Sequence, residues 1–221
     1  MVGYYNIKTI MTELKNYLDI DDIEVGIDEA GLGCVAGSFF VGGVILPKEC
    51  PDDDYINLWN SIRDSKKVKK ERRYQLADYI KEIALDWTIV EVDNNQVDST
   101  NILKERLKSY HIVINQLMIE PDNILVDGDK FNPYPGIPHI CIEKGDNKFK
   151  SIAAASILAK TFKDDHVLEM HKEYPVYSWD TNCCYLTKSH KNAILEYGIT
   201  PYHRKTFGIC KQWRELPQTY I

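Results

Sequence analysis

The 221-residue sequence has no apolar run long enough to cross a membrane. Its longest apolar stretch, Val35 to Leu46, is broken by Gly37, Ser38, Gly42 and Gly43. A spanning helix needs about 20 residues without such breaks. The first residues carry neither an unbroken hydrophobic segment nor a small-residue cleavage pattern, so no secretory signal is read there. Cys34, Cys50, Cys141, Cys183, Cys184 and Cys210 include no pair with the short gap of a zinc site. Reduced thiols in the cytoplasm, and no membrane contact, are therefore expected. Repeats, low-complexity tracts and a Pro/Gly-rich linker are also missing. So is any excess of base: 33 acids face 27 Lys and Arg, a net charge of −6. That balance argues against a protein that coats nucleic acid, though not against one that grips it locally.

What remains is ordinary for a globular chain. Hydrophobic residues make up 44% and charged residues 27%, which rules out disorder as the main state. A chain of this length buries roughly 70% of its unfolded surface, so it needs no disulfide or metal to hold a core. A single domain over residues 1–221 is expected. Basic residues gather between Lys66 and Arg73, and again at Lys188, Lys191, Arg204 and Lys205. Such runs read first as solvated helix faces.

Apolar spacing predicts a short amphipathic helix over residues 5–19, then a strand from Ile23 to Glu29. Gly31, Gly33 and Gly37 punctuate a turn into a second, hairpin-like strand, Ser38 to Leu46. Helices are expected over 69–84 and 99–118, the latter capped by Ser99 or Thr100. Strands are expected at Asp86–Val92, Ile124–Val126 and Ile137–Ile142. A long helix from Ser151 to about His171 follows. The last helix, 188–197, closes on Gly198. This alternation predicts an α/β fold with a mixed sheet and helices packed on it.

Three acid clusters stand at the expected strand ends. In Val25-Gly26-Ile27-Asp28-Glu29 two adjacent carboxylates end an apolar strand. Alternation then turns at least one of them toward a buried side, where a charge is costly unless paired or metal-bound. Asp127 follows Ile124-Leu125-Val126, and Asp146 follows Ile142-Glu143-Lys144-Gly145. Each cluster alone also fits plain turn chemistry. Together they place several carboxylates, with no nearby His or Cys, where open α/β sheets form sites. All-oxygen ligation suits Mg²⁺ or Mn²⁺ rather than Zn²⁺, and such sites serve in-line attack of water on a phosphodiester.

Seven motifs in order make the sequence resemble ribonuclease HII, the type 2 ribonuclease H. They are GIDEAGLG (Gly26 to Gly33), DSKK (Asp64 to Lys67), LVDGD (Leu125 to Asp129), EKGD (Glu143 to Asp146), SIAAASILAK (Ser151 to Lys160), YLTKSH (Tyr185 to His190) and TPYHRKTF (Thr200 to Phe207). The likeness covers roughly residues 24–208 and leaves residues 1–20 as an N-terminal extension. It implies a ribonuclease H-like α/β fold with a helical C-terminal part. It implies hydrolysis of the RNA strand of RNA/DNA hybrids and cleavage on the 5′ side of ribonucleotides embedded in duplex DNA, leaving 3′-hydroxyl and 5′-phosphate ends. The alternatives are a hybrid-specific ribonuclease H without single-ribonucleotide preference, and a non-catalytic hybrid-binding protein.

By the same resemblance Asp28, Glu29, Asp127 and Asp146 are the catalytic carboxylates, holding two divalent cations, Mg²⁺ or Mn²⁺. The family's Gly-Arg-Gly turn corresponds to Gly31-Leu32-Gly33, whose backbone would meet the 2′-hydroxyl that distinguishes RNA from DNA; the arginine is replaced by Leu32. Tyr185 matches the tyrosine that stacks on the sugar of the nucleotide after the ribonucleotide, and Cys184 and Leu186 replace its flanking glycines. Thr187 belongs to the same segment. Ser65 and Lys66 look like phosphate neighbours, and Ser156 and Lys160 would reach the nucleic-acid backbone. Ala153, Ala154, Ala155 and Ala159 are read as packing residues, Asp129 as turn chemistry and Asp164 as a helix-surface or supporting acid. His190, Arg204 and Lys205 match family positions with a structural or phosphate role. The partner expected is nucleic acid, and the chain is expected to act as a monomer.

Overall fold

A computed structural model describes residues 13–213. Five strands form one sheet in the order β3-β2-β1-β4-β5. β1 (Glu24–Ala30), β2 (Phe39–Ile45) and β3 (Asp86–Val92) are antiparallel neighbours, while β4 (Asn123–Asp127) and β5 (His139–Ile142) run parallel to β1. Between the strands lie α1 (Ile56–Trp59), α2 (Lys70–Ile83), α3 (Asn94–Ser99) and α4 (Ile102–Gln116). After β5 come α5 (Lys150–Glu173), α6 (Trp179–Asn182), α7 (Lys188–Tyr197) and a closing 3-10 turn, Gly208–Trp213. The mixed sheet, its flanking helices and the helical C-terminal part are those expected.

Two apolar layers sandwich the sheet. Val25, Ile27, Val41, Ile124 and Val126 face Tyr110, Val113 and Ile114 of α4. On the other side α5 presents Ala153, Ala154, Ala155, Ile157 and Leu158, packed with Leu76 and Ile80 of α2. The small residues let α5 approach the backbone of the sheet. A Cβ built on Gly26 would sit 2.2 Å from the Ser151 carbonyl carbon, and one on Gly42 would sit 2.7 Å from the Ala155 oxygen. Neither strand position has room for even a methyl group.

Some local expectations differ from what forms. Of the helix expected over 5–19, residues 5–12 lie outside the described residues, and Glu13 to Asp19 form no helix. Lys15 instead bridges Phe149, with Lys15 N donating to Lys148 O at 2.8 Å. The helix expected over 99–118 forms as α4, and the short α3 that precedes it was not expected. The cap of α4 is Asn101, whose side chain accepts from Lys104 N at 2.9 Å. Ser99 and Thr100 instead bond back to the Gln96 carbonyl that ends α3. The strand expected from Ile137 starts at His139, because Ile137 pairs with Tyr134 in a tight turn. Gly198 does close α7, at φ 81°.

Gly26→Ala should force α5 off the sheet and lower unfolding free energy by about 3 kcal/mol. Urea titration at fixed pH checks this; a loss below about 0.5 kcal/mol would mean that the close approach is not a constraint.

Candidate active site

Parallel pairing of β1 and β4 matches Ile27 with Val126, so Asp28 and Asp127 leave the sheet side by side. Asp28 and Glu29 then part to opposite faces, as strand alternation requires. Asp28 is 5% exposed and hydrogen-bonded to Ser156 of α5. Glu29 turns toward α4, where Arg106 Nη2 lies 3.3 Å from Oε1 and the Tyr110 hydroxyl donates to Oε2. Asp127 Oδ1 accepts from Gly145 N at 2.6 Å. That bond ties the end of β4 to the Gly145–Asn147 3-10 turn, which carries Asp146 and leads into α5. Asp146 Oδ1 accepts from Asn147 Nδ2 at 2.7 Å.

The four carboxylates feel one another. Burial, then the charges of Glu29 and Asp127, push the Asp28 carboxyl well above the ordinary carboxylate range. Burial raises Glu29 as well, against the pull of the Arg106 guanidinium. Burial and then the charge of Asp64 raise Asp146. Several buried acids on one rim repel, and protons or cations relieve that repulsion. An open cavity of about 500 Å³ exposes the Asp127 and Asp146 side of the rim, lined by Asp64, Lys66, Lys67, Asp127, Lys144 and Asp146 among others. Among the described residues no three His, Cys, Asp or Glu are drawn close enough to form a ligand set; each acid has a protein donor of its own. The donor chemistry, all carboxylate oxygen, fits a hard divalent cation.

The expected substrate residues fall into two groups. The Gly31-Leu32-Gly33 turn follows β1 directly, with Gly31 at φ 101° and Gly33 exposed. Tyr185, 45% exposed, packs beside Gly33, with the Lys163 ammonium 5.6 Å from its ring centre. Thr187 is exposed and caps α7, and Lys66 is exposed at the cavity rim. Ser65 and Ser156 differ from expectation: they are 2% and 5% exposed and their hydroxyls bond each other at 3.0 Å. Both are buried and paired, and Ser156 also bonds Asp28. Lys160 is tied to Asp164 in an ion pair. Asp164 is itself buried, not on the helix surface, and bonds Arg73 at 2.8 Å. Cys184, where the family has glycine, takes φ 65°, a left-handed conformation that costs a non-glycine residue roughly 1–2 kcal/mol. Leu186 is not among the positive-φ residues.

Sequence reasoning passed over Arg106, Tyr110, Asp64 and Lys163. Arg106 and Tyr110 stand one helical turn apart on the buried face of α4, and a polar pair at that spacing was the available signal. Asp64 stood inside the DSKK motif, and Lys163 inside the Lys160–Asp165 charge run.

A mixed five-stranded sheet with acids at its strand ends, beside a lysine-lined cavity, makes this a ribonuclease H-like fold. Ribonuclease H2 of Pyrococcus horikoshii shares it with a TM-score of 0.73 and 22% identity, over 87% of this chain and 97% of that one. The ribonuclease HII family profile matches residues 25–210. Ribonuclease HII of Bacteroides thetaiotaomicron is 46% identical over 89% of this chain and 94% of its own length. That of Parabacteroides distasonis is 46% identical over 90% and 96%. The chain belongs to the ribonuclease HII family. It is a nuclease that hydrolyses phosphodiester bonds and degrades the RNA of RNA/DNA hybrids.

Raised carboxylates give a pH dependence whose sign follows from linkage. A group whose folded pKa lies above its unfolded value of about 3.9 stabilises the fold fully below that value and loses the contribution as pH rises through the folded pKa. Charged Asp28 therefore opposes folding at neutral pH. Without divalent ions, Asp28→Asn should raise unfolding free energy at pH 7 by on the order of 1 kcal/mol, and the gain should fade toward about pH 4. Urea titrations at the two pH values check this; a constant increment would contradict it.

Proposed function

We propose that the protein also cleaves on the 5′ side of single ribonucleotides embedded in duplex DNA, leaving 3′-hydroxyl and 5′-phosphate ends. In this reading Asp28, Glu29, Asp127 and Asp146 hold two divalent cations, Mg²⁺ or Mn²⁺. The observation that carries it is the gathering of these acids at the ends of β1 and β4 and on the Gly145–Asn147 turn, with the proton affinities of Asp28, Glu29 and Asp146 raised, where β1 leads into the Gly31–Gly33 turn beside Tyr185. Bound there, such ions supply activation of a water molecule and stabilisation of the leaving oxygen.

The chain's own residues do the rest. Lys66 faces the cavity that opens on Asp127 and Asp146, where its point charge suits a phosphate. Gly31, Leu32 and Gly33 present backbone to the ribose 2′-hydroxyl. Tyr185 offers a ring face to the following sugar, and Thr187 and Lys160 flank the path of the strand. Ser65 and Ser156 fix Asp28 from behind. Arg106 and Tyr110 orient Glu29. In this reading the protein is a single domain that acts as a monomer in the cytoplasm.

A second reading keeps hybrid cleavage without single-ribonucleotide preference. Leu32 in the turn and Cys184 at φ 65° beside Tyr185 favour it.

Two labelled duplexes separate the readings, one with a single ribonucleotide in DNA and one with a full RNA strand on DNA, each with Mg²⁺ and with Mn²⁺. The wild type should cut both, the first on the 5′ side of the ribonucleotide. Cleavage of the RNA strand alone would establish the second reading. Asp127→Asn should lower turnover roughly 100-fold or more with binding retained; near-normal turnover would remove Asp127 from the ligand set. Tyr185→Ala should weaken cleavage of the single-ribonucleotide duplex about tenfold and the full hybrid less. Equal losses would make Tyr185 a structural residue.

A further inference from the structure

Arg204 is fully buried, at 0% exposure, so its guanidinium does not reach a phosphate. Its side chain donates to three main-chain carbonyls: Nη2 to Gly31 O at 2.9 Å, Nη1 to Leu32 O at 2.8 Å and Nε to Gly37 O at 3.0 Å. Two of these carbonyls belong to the turn that the proposed function sets against the ribonucleotide. The arginine is itself anchored. Its backbone N donates to Val35 O at 2.8 Å, its carbonyl accepts from Phe207 N at 2.9 Å, and its guanidinium lies 5.2 Å from the Phe207 ring centre. Burying a cation against neutral carbonyls is costly, and an apolar side chain would fill the same space at less expense. The planar fork has one capability that an apolar group lacks: it fixes the direction of several carbonyls at once.

That direction has a consequence. Among the described residues no peptide bond is cis. In a trans peptide the N–H points opposite to the C=O it is bonded to. With Gly31 O and Leu32 O drawn back onto Arg204, the amides of Leu32 and Gly33 point the other way. At Gly33, an exposed position beside Tyr185, that way is outward. Gly31 O also accepts from Cys34 N at 3.2 Å, which closes the turn around this arrangement.

We propose that Arg204 is a positioning residue for substrate discrimination. From behind the Gly31–Gly33 turn it aims the Leu32 and Gly33 amides at the ribose 2′-hydroxyl, without touching the nucleic acid. The inference rests on the proposed reading that this turn meets the 2′-hydroxyl.

The test measures discrimination rather than activity alone. With Mg²⁺ present, KM is measured for a single-ribonucleotide duplex, and Ki for the same duplex in all-DNA form as an uncut competitor. The ratio Ki/KM reports reading of one hydroxyl. Partial unfolding lowers kcat but leaves this ratio unchanged. The wild type should favour the ribonucleotide duplex at least tenfold. Arg204→Gln should lower the ratio about tenfold, with a smaller change in kcat. Arg204→Lys, which keeps the charge and loses the fork, should fall between. A wild type that discriminates beside variants that discriminate equally would overturn the inference and leave the function reading standing. A wild type with a ratio near one would overturn the reading that the turn meets the 2′-hydroxyl, and the inference with it. If the variants do not fold, amide spectra of the ¹⁵N-labelled wild type decide. The Leu32 and Gly33 signals should shift with the ribonucleotide duplex and not with its all-DNA counterpart; signals that stay put, or shift equally with both, overturn the inference.

Discussion

The rest of the structure depends on one close contact, where α5 rests on β1 and β2 with backbone nearly against backbone. Gly26 and Gly42 make it possible from the sheet, and Ser151 to Ala155 from the helix. Because the helix cannot move off without opening the core, everything attached to it is placed by it. The Gly145–Asn147 turn before its first residue brings Asp146 to the rim. Ser156, one and a half turns in, reaches Asp28. Further along, Lys160, Lys163 and Asp164 lie buried or half-buried beneath the turn and Tyr185. A single helix thus sets the spacing between the acidic rim and the surface beside it.

Charge is organised in two layers around that helix. In front are four neighbouring acids, each steadied by its own donor: Ser156, Arg106 with Tyr110, the Gly145 amide and the Asn147 amide. Behind are cations with almost no exposure. Lys163 is 1% exposed and donates to Cys183 O at 2.8 Å, and Arg204 gathers the carbonyls of the turn. The net charge of −6 hides this separation. A chain that is acidic overall still places positive groups directly under the surface where a polyanion would lie.

Much of this was legible in the residues. The order of strands and helices followed from period and punctuation, and the limits of β3 and α7 follow Asp86–Val92 and residues 188–197 as read. The motif order named the family, and the acids at the strand ends stood out because an apolar strand rarely stops on two charges. Less legible were the segments whose conformation rests on distant partners. Residues 13–19 carry a helical pattern yet form no helix, because Lys15 finds its backbone partners at Lys148 and Lys150, far along the chain. Asn101 displaced two plausible caps because the preceding turn uses their hydroxyls for itself.

The sequence by itself determined the element order and the family and singled out four acids near strand ends, since these depend on local periodicity and on residue types at fixed spacing. Only the tertiary structure decided which polar groups face the open cavity and which face inward. Ser65 and Ser156 looked like contacts and lie buried against each other, while Arg204, which fitted a structural or a phosphate role equally, holds carbonyls. Neither outcome is written in local pattern. The partner of a buried polar group is chosen by chain segments tens to hundreds of residues away, and only folding brings them within hydrogen-bonding distance.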